Sequence, residues 1–207
     1  MKEVPMKIDE MVAAVQKKLG VQADGKAGPE TWGAIYAEVV KPTVAGKPPE
    51  QAIDTVDARS EAVIATLLPQ VQPLARALVQ KAALSGIRIK IISGLRTYAE
   101  QDELYAQGRT KPGAKVTNAR AGYSNHNFGI AFDVGVFEGQ KYLPDSVKYK
   151  AVGALGTDLG LEWGGNWKSI VDQPHFELRP SWAADLSEKD MLASLRERAA
   201  AGDPVFA

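Results

Sequence analysis

The chain has only two histidines, His126 and His175, and each lies within a few residues of an aspartate in a short apolar run. The first stretch is Tyr123-Ser124-Asn125-His126-Asn127-Phe128-Gly129-Ile130-Ala131-Phe132-Asp133-Val134; the second is Asp172-Gln173-Pro174-His175-Phe176-Glu177-Leu178. Both read as segments of buried strand, and in Ile130 to Val134 the only charge is Asp133. An unpaired carboxylate in such a place costs several kcal/mol or takes up a proton, so a cation beside it is the economical explanation.

Zinc chemistry accounts for these residue types. A catalytic Zn²⁺ takes about three protein ligands from imidazole and carboxylate and leaves a fourth position for water, whose pKa falls from ~15.7 to ~7. His126, Asp133 and His175 fill the three places, and Asp172, three positions before His175, is the candidate general base. Pro174 keeps Gln173 out of the α region, so the segment is a turn entering a strand, unlike the helical H-E-x-x-H of common zinc proteases. Glu177, two past His175, is a candidate acceptor that orients that imidazole. A histidine near an aspartate is more often a hydrogen-bonded pair without metal. Two such motifs that use every histidine in the chain reverse that balance.

Ser124-x-His126-x-x-Gly129-x-Ala131-x-Asp133, then Trp163-Gly164-Gly165-x-Trp167, then Asp172-x-Pro174-His175-Phe176 resembles the zinc-dependent peptidases that include D-alanyl-D-alanine carboxypeptidases, D,D-dipeptidases and the L-alanyl-D-glutamate endopeptidases of phage lysins. The Ser-Asn-His-Asn spelling and the Trp-Gly-Gly-x-Trp block look most like the last group. The resemblance covers roughly Asp54 to Pro180. It implies an α+β fold, a central antiparallel sheet with flanking helices, and one zinc on His126, Asp133 and His175, with Asp172 in the place of the family's catalytic acid. It also implies that Arg96, in Ser93-Gly94-Leu95-Arg96-Thr97, stabilises the oxygen of the attacked carbonyl. By residue type alone Arg96 would cap the turn or pair with Glu100 at i+4. Ser124 is implied as a substrate-binding hydroxyl, against a plain turn residue. Trp163 and Trp167 are candidate walls of the cleft, against a core role for both.

The rest of the chain sets the frame. Its 207 residues suit one or two domains, and 45% hydrophobic composition is ample for a core. The 25 basic and 25 acidic residues cancel, which argues against a nucleic-acid or anionic-membrane partner. The absence of cysteine excludes disulfides, thiolate metal sites and cysteine nucleophiles. No run reaches the ~18 apolar residues of a membrane span, and Met1 to Lys7 has no signal-like apolar segment, so synthesis in the cytoplasm is expected. A monomer is the expected state, though no residue pattern sets it.

Residues 1–40 read as a small helical unit: Ile8, Met11, Val12, Val15 and Leu19 share a helical face, Gly20 stops it, and a glycine-rich loop leads through Pro29 to a second helix with Thr31, Trp32, Ile35 and Tyr36. Val15 to Ile35 looks like the signature of peptidoglycan-binding modules, which makes Asp24, Gly25 and Trp32 candidate binding residues, against a bare helical hairpin with core aromatics. Residues 41–53, with Pro42, Pro48 and Pro49, read as a linker, and 54–207 as the catalytic domain. Within that domain helices are expected over Ser60 to Leu68, Pro73 to Ser85, Tyr98 to Tyr105, Lys148 to Leu161 and Ser181 to Ala199, and a strand over Ile87 to Ile92. Thr110 to Gly122 reads as a long loop, and residues 200–207 as loosely held.

The functional expectation is a peptidoglycan hydrolase that cuts the stem peptide between L-alanine and D-glutamate, as a phage endolysin released through holin lesions. Three alternatives stand: a D-alanyl-D-alanine carboxypeptidase, a wall-binding protein with an inactive zinc site, and a serine hydrolase using Ser124 and His126.

Overall fold

The structure is a computed structural model and describes residues 7–28, 30–32, 34–35 and 56–207. The chain divides into two units, Met1–Ala52 and Ile53–Ala207. The expected linker at 41–53, and Pro29 and Tyr36, lie outside the described residues.

In the first unit, helix α1 (Ile8–Leu19) ends where Gly20 takes a left-handed conformation, φ 72°, and residues 30–32 and 34–35 are helical. The loop between them is organised by Gln16, which is buried. Its Nε2 lies within hydrogen-bond distance of Asp24 Oδ1 (2.8 Å), Lys26 O (3.0 Å) and Thr31 Oγ1 (2.8 Å), sharing its two hydrogens among them, and its Oε1 accepts from Gly25 N at 2.9 Å. Periodicity placed α1; nothing in it marked Gln16 as the residue that ties loop to helix.

The second unit is α+β. Strands β1 (Arg88–Ser93), β2 (Ala131–Glu138), β3 (Lys141–Tyr142), β4 (Glu162–Trp163) and β5 (His175–Glu177) form one sheet in the order β1-β2-β5-β4, with β3 also paired to β2 and all pairs antiparallel. Helices α2 (Ala58–Ile64), α3 (Gln72–Leu84), α4 (Tyr98–Ala106), α5 (Tyr149–Asp158) and α6 (Glu188–Ala201) flank it.

Strand alternation separates two faces of the sheet. Ile89 and Ile91 of β1, Phe132, Val134 and Val136 of β2 and Phe176 of β5 join Ile64, Leu78 and Val152 of α2, α3 and α5 in the main core. Phe132 and Phe176 stack with ring centroids 5.8 Å apart. Each such side chain contributes about 1.5–3 kcal/mol by burial. Asp133, His175 and Glu177 alternate with these residues and emerge on the other face. A second core of Phe128, Ile130, Met191, Leu192 and Leu195 seats α6 against that side.

Two polar devices fix α2. Asp57 caps it by accepting from Ser60 N at 3.2 Å, and the Ser60 hydroxyl accepts from Ile91 N of β1 at 3.0 Å. Helix α5 approaches the sheet closely enough that a Cβ on Gly153 would lie 2.3 Å from the Trp163 ring and one on Gly156 2.3 Å from Phe176.

Three expectations are corrected, and two short strands were not foreseen. His126 does not sit in a strand: Asn125–Phe128 is a single 3-10 turn, closed by Gly129 at φ 68°. The helix expected from Ser181 starts at Glu188, because the Ser187 hydroxyl caps it by accepting from Asp190 N at 3.2 Å; Ser181–Ala183 is a separate turn. The last residues are not loose, since Phe206 packs against both cores and Trp182 Nε1 donates to Val205 O at 2.8 Å. Strands β3 and β4, two residues each, are too short to leave a periodic signal.

Gly156→Ala tests the close packing of α5. Alanine would gain about 0.5–1 kcal/mol of helix propensity, but its Cβ would overpack Phe176 at a cost of about 1–3 kcal/mol. A lower melting temperature is expected in calorimetry, and a raised one would show that the helix gives way freely.

Candidate metal centre

Register builds the centre. Asp133 of β2 pairs with His175 of β5 on one side and with Ser93 of β1 on the other, so three strands present one row of polar side chains. The β1–β2 pairing slips between Ile91 and Ser93, a bulge of the kind that re-aims a strand end beside a site. It carries the chain into Gly94, where a Cβ would lie 2.6 Å from Thr66 Oγ1. That close approach brings Gly94 O to 2.8 Å from His126 Nδ1.

The two imidazoles are held in opposite senses. His126 donates from Nδ1 to Gly94 O, leaving Nε2 3.4 Å from Asp133 Oδ1. His175 donates from Nε2 to Glu177 Oε2 at 2.8 Å, leaving Nδ1 3.4 Å from the same Asp133 oxygen. These 3.4 Å separations are long for hydrogen bonds. Each is close to the edge, about 3.4 Å, of a tetrahedron of donors around an ion with bonds of ~2.0–2.1 Å; the third edge, between the two imidazole nitrogens, is at most 4.8 Å. With both imidazoles neutral their lone pairs would face a carboxylate oxygen, a conflict that a proton or a cation among them relieves; two nitrogen donors and one oxygen donor suit a divalent metal.

Electrostatics agree. Burial alone would raise Asp133, but the imidazoles of His126 and His175 hold its carboxyl well below the usual carboxylate range. Burial would lower His175, yet the nearby Asp133 carboxylate and the bond to Glu177 push it up to about 10. Glu177, buried beneath it, stays below its ordinary value because His175 and Asn125 donate to it. Asp172 moves the other way: burial, then the charge of Asp133, raises its carboxyl. A raised carboxyl beside a metal centre is suited to accept and return a proton.

The centre lies in a cleft of about 950 Å³ lined by Arg96, Ser124, His126, Asp133, Trp167, Asp172 and His175 among others. Arg96 is clamped by Gln101 Oε1 at 2.9 Å and Ser93 Oγ at 3.1 Å, and its Nη2 is 3.8 Å from Asp133 Oδ2. It does not pair with Glu100, whose carboxylate accepts from Thr97 N at 2.8 Å in a capping box. Trp167 lies against His175, ring centroids 4.8 Å apart. Trp163 does not line the cleft: its ring packs against Gly153 and Gly165 and its Nε1 donates to Gln173 O at 2.8 Å, so the expectation of two indole walls is corrected to one. Both ring nitrogens of His126 face groups other than Ser124, which removes the basis of a serine nucleophile. In the first unit Asp24 and Gly25 are taken up by Gln16, while Trp32 is 60% exposed.

Sequence reasoning missed Gly94, Ser93 and Gln101 as holders of ligand and arginine. The C-terminal segment read only as a helix and a tail, yet Glu188 of α6 reaches the cleft. These contacts join residues far apart in the chain, and no local pattern announces them.

An antiparallel sheet presenting two imidazoles and a carboxylate to a cleft that also holds a buried carboxyl and a clamped arginine defines the class of metal-dependent hydrolases. Residues 117–178 match the family described as D-alanyl-D-alanine carboxypeptidase, of the M15 peptidases. The peptidoglycan L-alanyl-D-glutamate endopeptidase CwlK of Bacillus subtilis is 41% identical over 125 residues, 56% of this chain and 75% of that protein. The L-alanyl-D-glutamate peptidase of Listeria phage A118 is 31% identical over 124 residues, 58% of this chain and 40% of that protein. Among solved structures, the L-Ala D-Glu endopeptidase ChiX of Serratia marcescens has a TM-score of 0.46 and 25% identity, covering 59% of this chain and 87% of that one. The chain belongs to the M15 peptidase family and is a metallopeptidase.

Metal binding should displace a proton, since Asp133 and Glu177 raise the pKa of His175 and an ion on Nδ1 would take the proton's place. Apparent affinity is therefore expected to rise with pH. Titration calorimetry with Zn²⁺ in buffers of different ionisation heat should show about one proton released per ion. No release would mean that the imidazole is already neutral.

Proposed function

We propose that the chain is a zinc-dependent endopeptidase that hydrolyses the L-alanyl-D-glutamate bond of the peptidoglycan stem peptide. The convergence of His126 Nε2, His175 Nδ1 and Asp133 Oδ1 carries the metal-dependent chemistry, and the names of the two curated relatives support the choice of bond. Zinc suits two nitrogen donors and one oxygen donor; when bound it supplies Lewis-acid polarisation of a carbonyl and a lowered pKa for water.

The chain's own groups do the rest. Asp172, with its raised carboxyl, takes the proton of the attacking water and passes it to the leaving amine. Arg96, held in the cleft by Gln101 and Ser93, offers fixed donors to the developing oxyanion. Ser124 and Trp167 line the path of the peptide.

The first unit serves as a wall-binding module through exposed Trp32, with Asp24 and Gly25 shaping the loop beside it, and raises the local concentration of enzyme at the wall. Among the described residues no helix is long and apolar enough to cross a membrane. We propose that the protein acts on the wall as a monomer in the manner of an endolysin, after holin-type release.

The family description favours one second reading, a D-alanyl-D-alanine carboxypeptidase. Mass spectrometry of digested peptidoglycan separates the two. Release of the whole stem peptide with D-glutamate at its new amino terminus is expected, and loss of a single terminal alanine would establish the second reading instead. Asp172→Asn should keep its zinc while the rate falls about 10²–10⁴-fold. An Asp172→Asn variant as active as the parent would remove Asp172 from the chemistry.

A further inference from the structure

Beside His175 runs a line of polar side chains to which the proposed reaction assigns no step, several of them lining the same cleft. Glu177, 1% exposed, accepts on one oxygen, Oε2, from both His175 Nε2 at 2.8 Å and Asn125 Nδ2 at 2.6 Å. Its other oxygen, Oε1, is buried and has no hydrogen-bond partner. The orientation of this carboxylate therefore rests on Asn125 and on the imidazole it is meant to hold.

Asn125 is anchored in turn. It also donates from Nδ2 to Glu188 Oε1 at 2.7 Å, on the first turn of α6. Glu188 accepts from Arg179 Nη2 at 2.9 Å, and Arg179 Nε donates to Glu162 of β4 at 2.6 Å. Helix α6 thus bears on His175 through two intervening side chains, across 63 residues between Asn125 and Glu188. Asn suits this place because an amide NH₂ carries two donors and no charge, so one nitrogen serves two carboxylates.

We propose that Asn125, braced by Glu188, is a positioning residue for metal capture: it fixes Glu177, and through Glu177 it fixes the ring and tautomer of His175 so that Nδ1 faces Asp133. This rests on the metal reading of the centre. Without Asn125, Glu177 keeps a single fixed donor and turns with it, and His175 no longer presents Nδ1 in one orientation.

The test compares parent, Asn125→Ala, Glu188→Ala and, outside the network, Trp182→Phe, which removes the bond to Val205 O. Zn²⁺ affinity is measured by competition with a chromophoric chelator, and the melting temperature of each metal-free protein is recorded beside it. Zn²⁺ binding about tenfold or more weaker in Asn125→Ala is expected, with a smaller loss in Glu188→Ala, whose half-exposed side chain can be removed without opening the core. Trp182→Phe should melt earlier yet bind Zn²⁺ as the parent does. Affinity within twofold of the parent in Asn125→Ala overturns the proposal, and so does an equal loss in Trp182→Phe, which would mean general loosening. A parent that binds no Zn²⁺ contradicts the metal reading itself, a different failure.

Discussion

Asp133 lies with two imidazole nitrogens 3.4 Å from one of its oxygens and a guanidinium 3.8 Å from the other. The guanidinium and the imidazoles hold this carboxylate charged, and the two ring nitrogens that face one of its oxygens call for a proton or a cation between them. Much of the surrounding structure serves that requirement. The pairing of β2 with β5 sets His175 opposite Asp133, the bulge in β1 brings Gly94 O to His126, and Glu177 turns His175 the other way round.

The fold holds the centre by placing apolar residues on one sheet face and polar ones on the other. Phe132, Val134 and Phe176 bury into the helical layer, so their neighbours Asp133, His175 and Glu177 must emerge together on the opposite side. A one-residue slip of β5 would carry His175 into the core and Phe176 into the cleft. The close seat of Gly153 and Gly156 against Trp163 and Phe176 opposes such a slip, and packing thereby helps to hold the candidate centre.

What could be read from the sequence followed the physics of each signal. Helical periodicity gave α1 and α3 nearly to the residue, and β-branched alternation gave β1. His126, Asp133 and His175 were legible because histidine is scarce in this chain and buried aspartate is costly. The 3-10 turn under His126 was not legible, since a four-residue turn closed by glycine resembles the start of a strand. Nor were Asn125, Gln101 and Glu188: their value lies in partners brought close by the sheet. Trp163 and Trp167, four residues apart, go to core and cleft because a turn at Gly164–Asn166 separates them.

X-ray absorption at the zinc edge on purified, zinc-loaded protein reads the donor set of the ion itself. One zinc per chain is expected, bound by two imidazole nitrogens and carboxylate or water oxygens at ~2.0–2.2 Å, with one imidazole lost in His126→Ala and in His175→Ala. Zinc held without imidazole, or held unchanged in both variants, would contradict the account of a centre built on Asp133 and its two histidines.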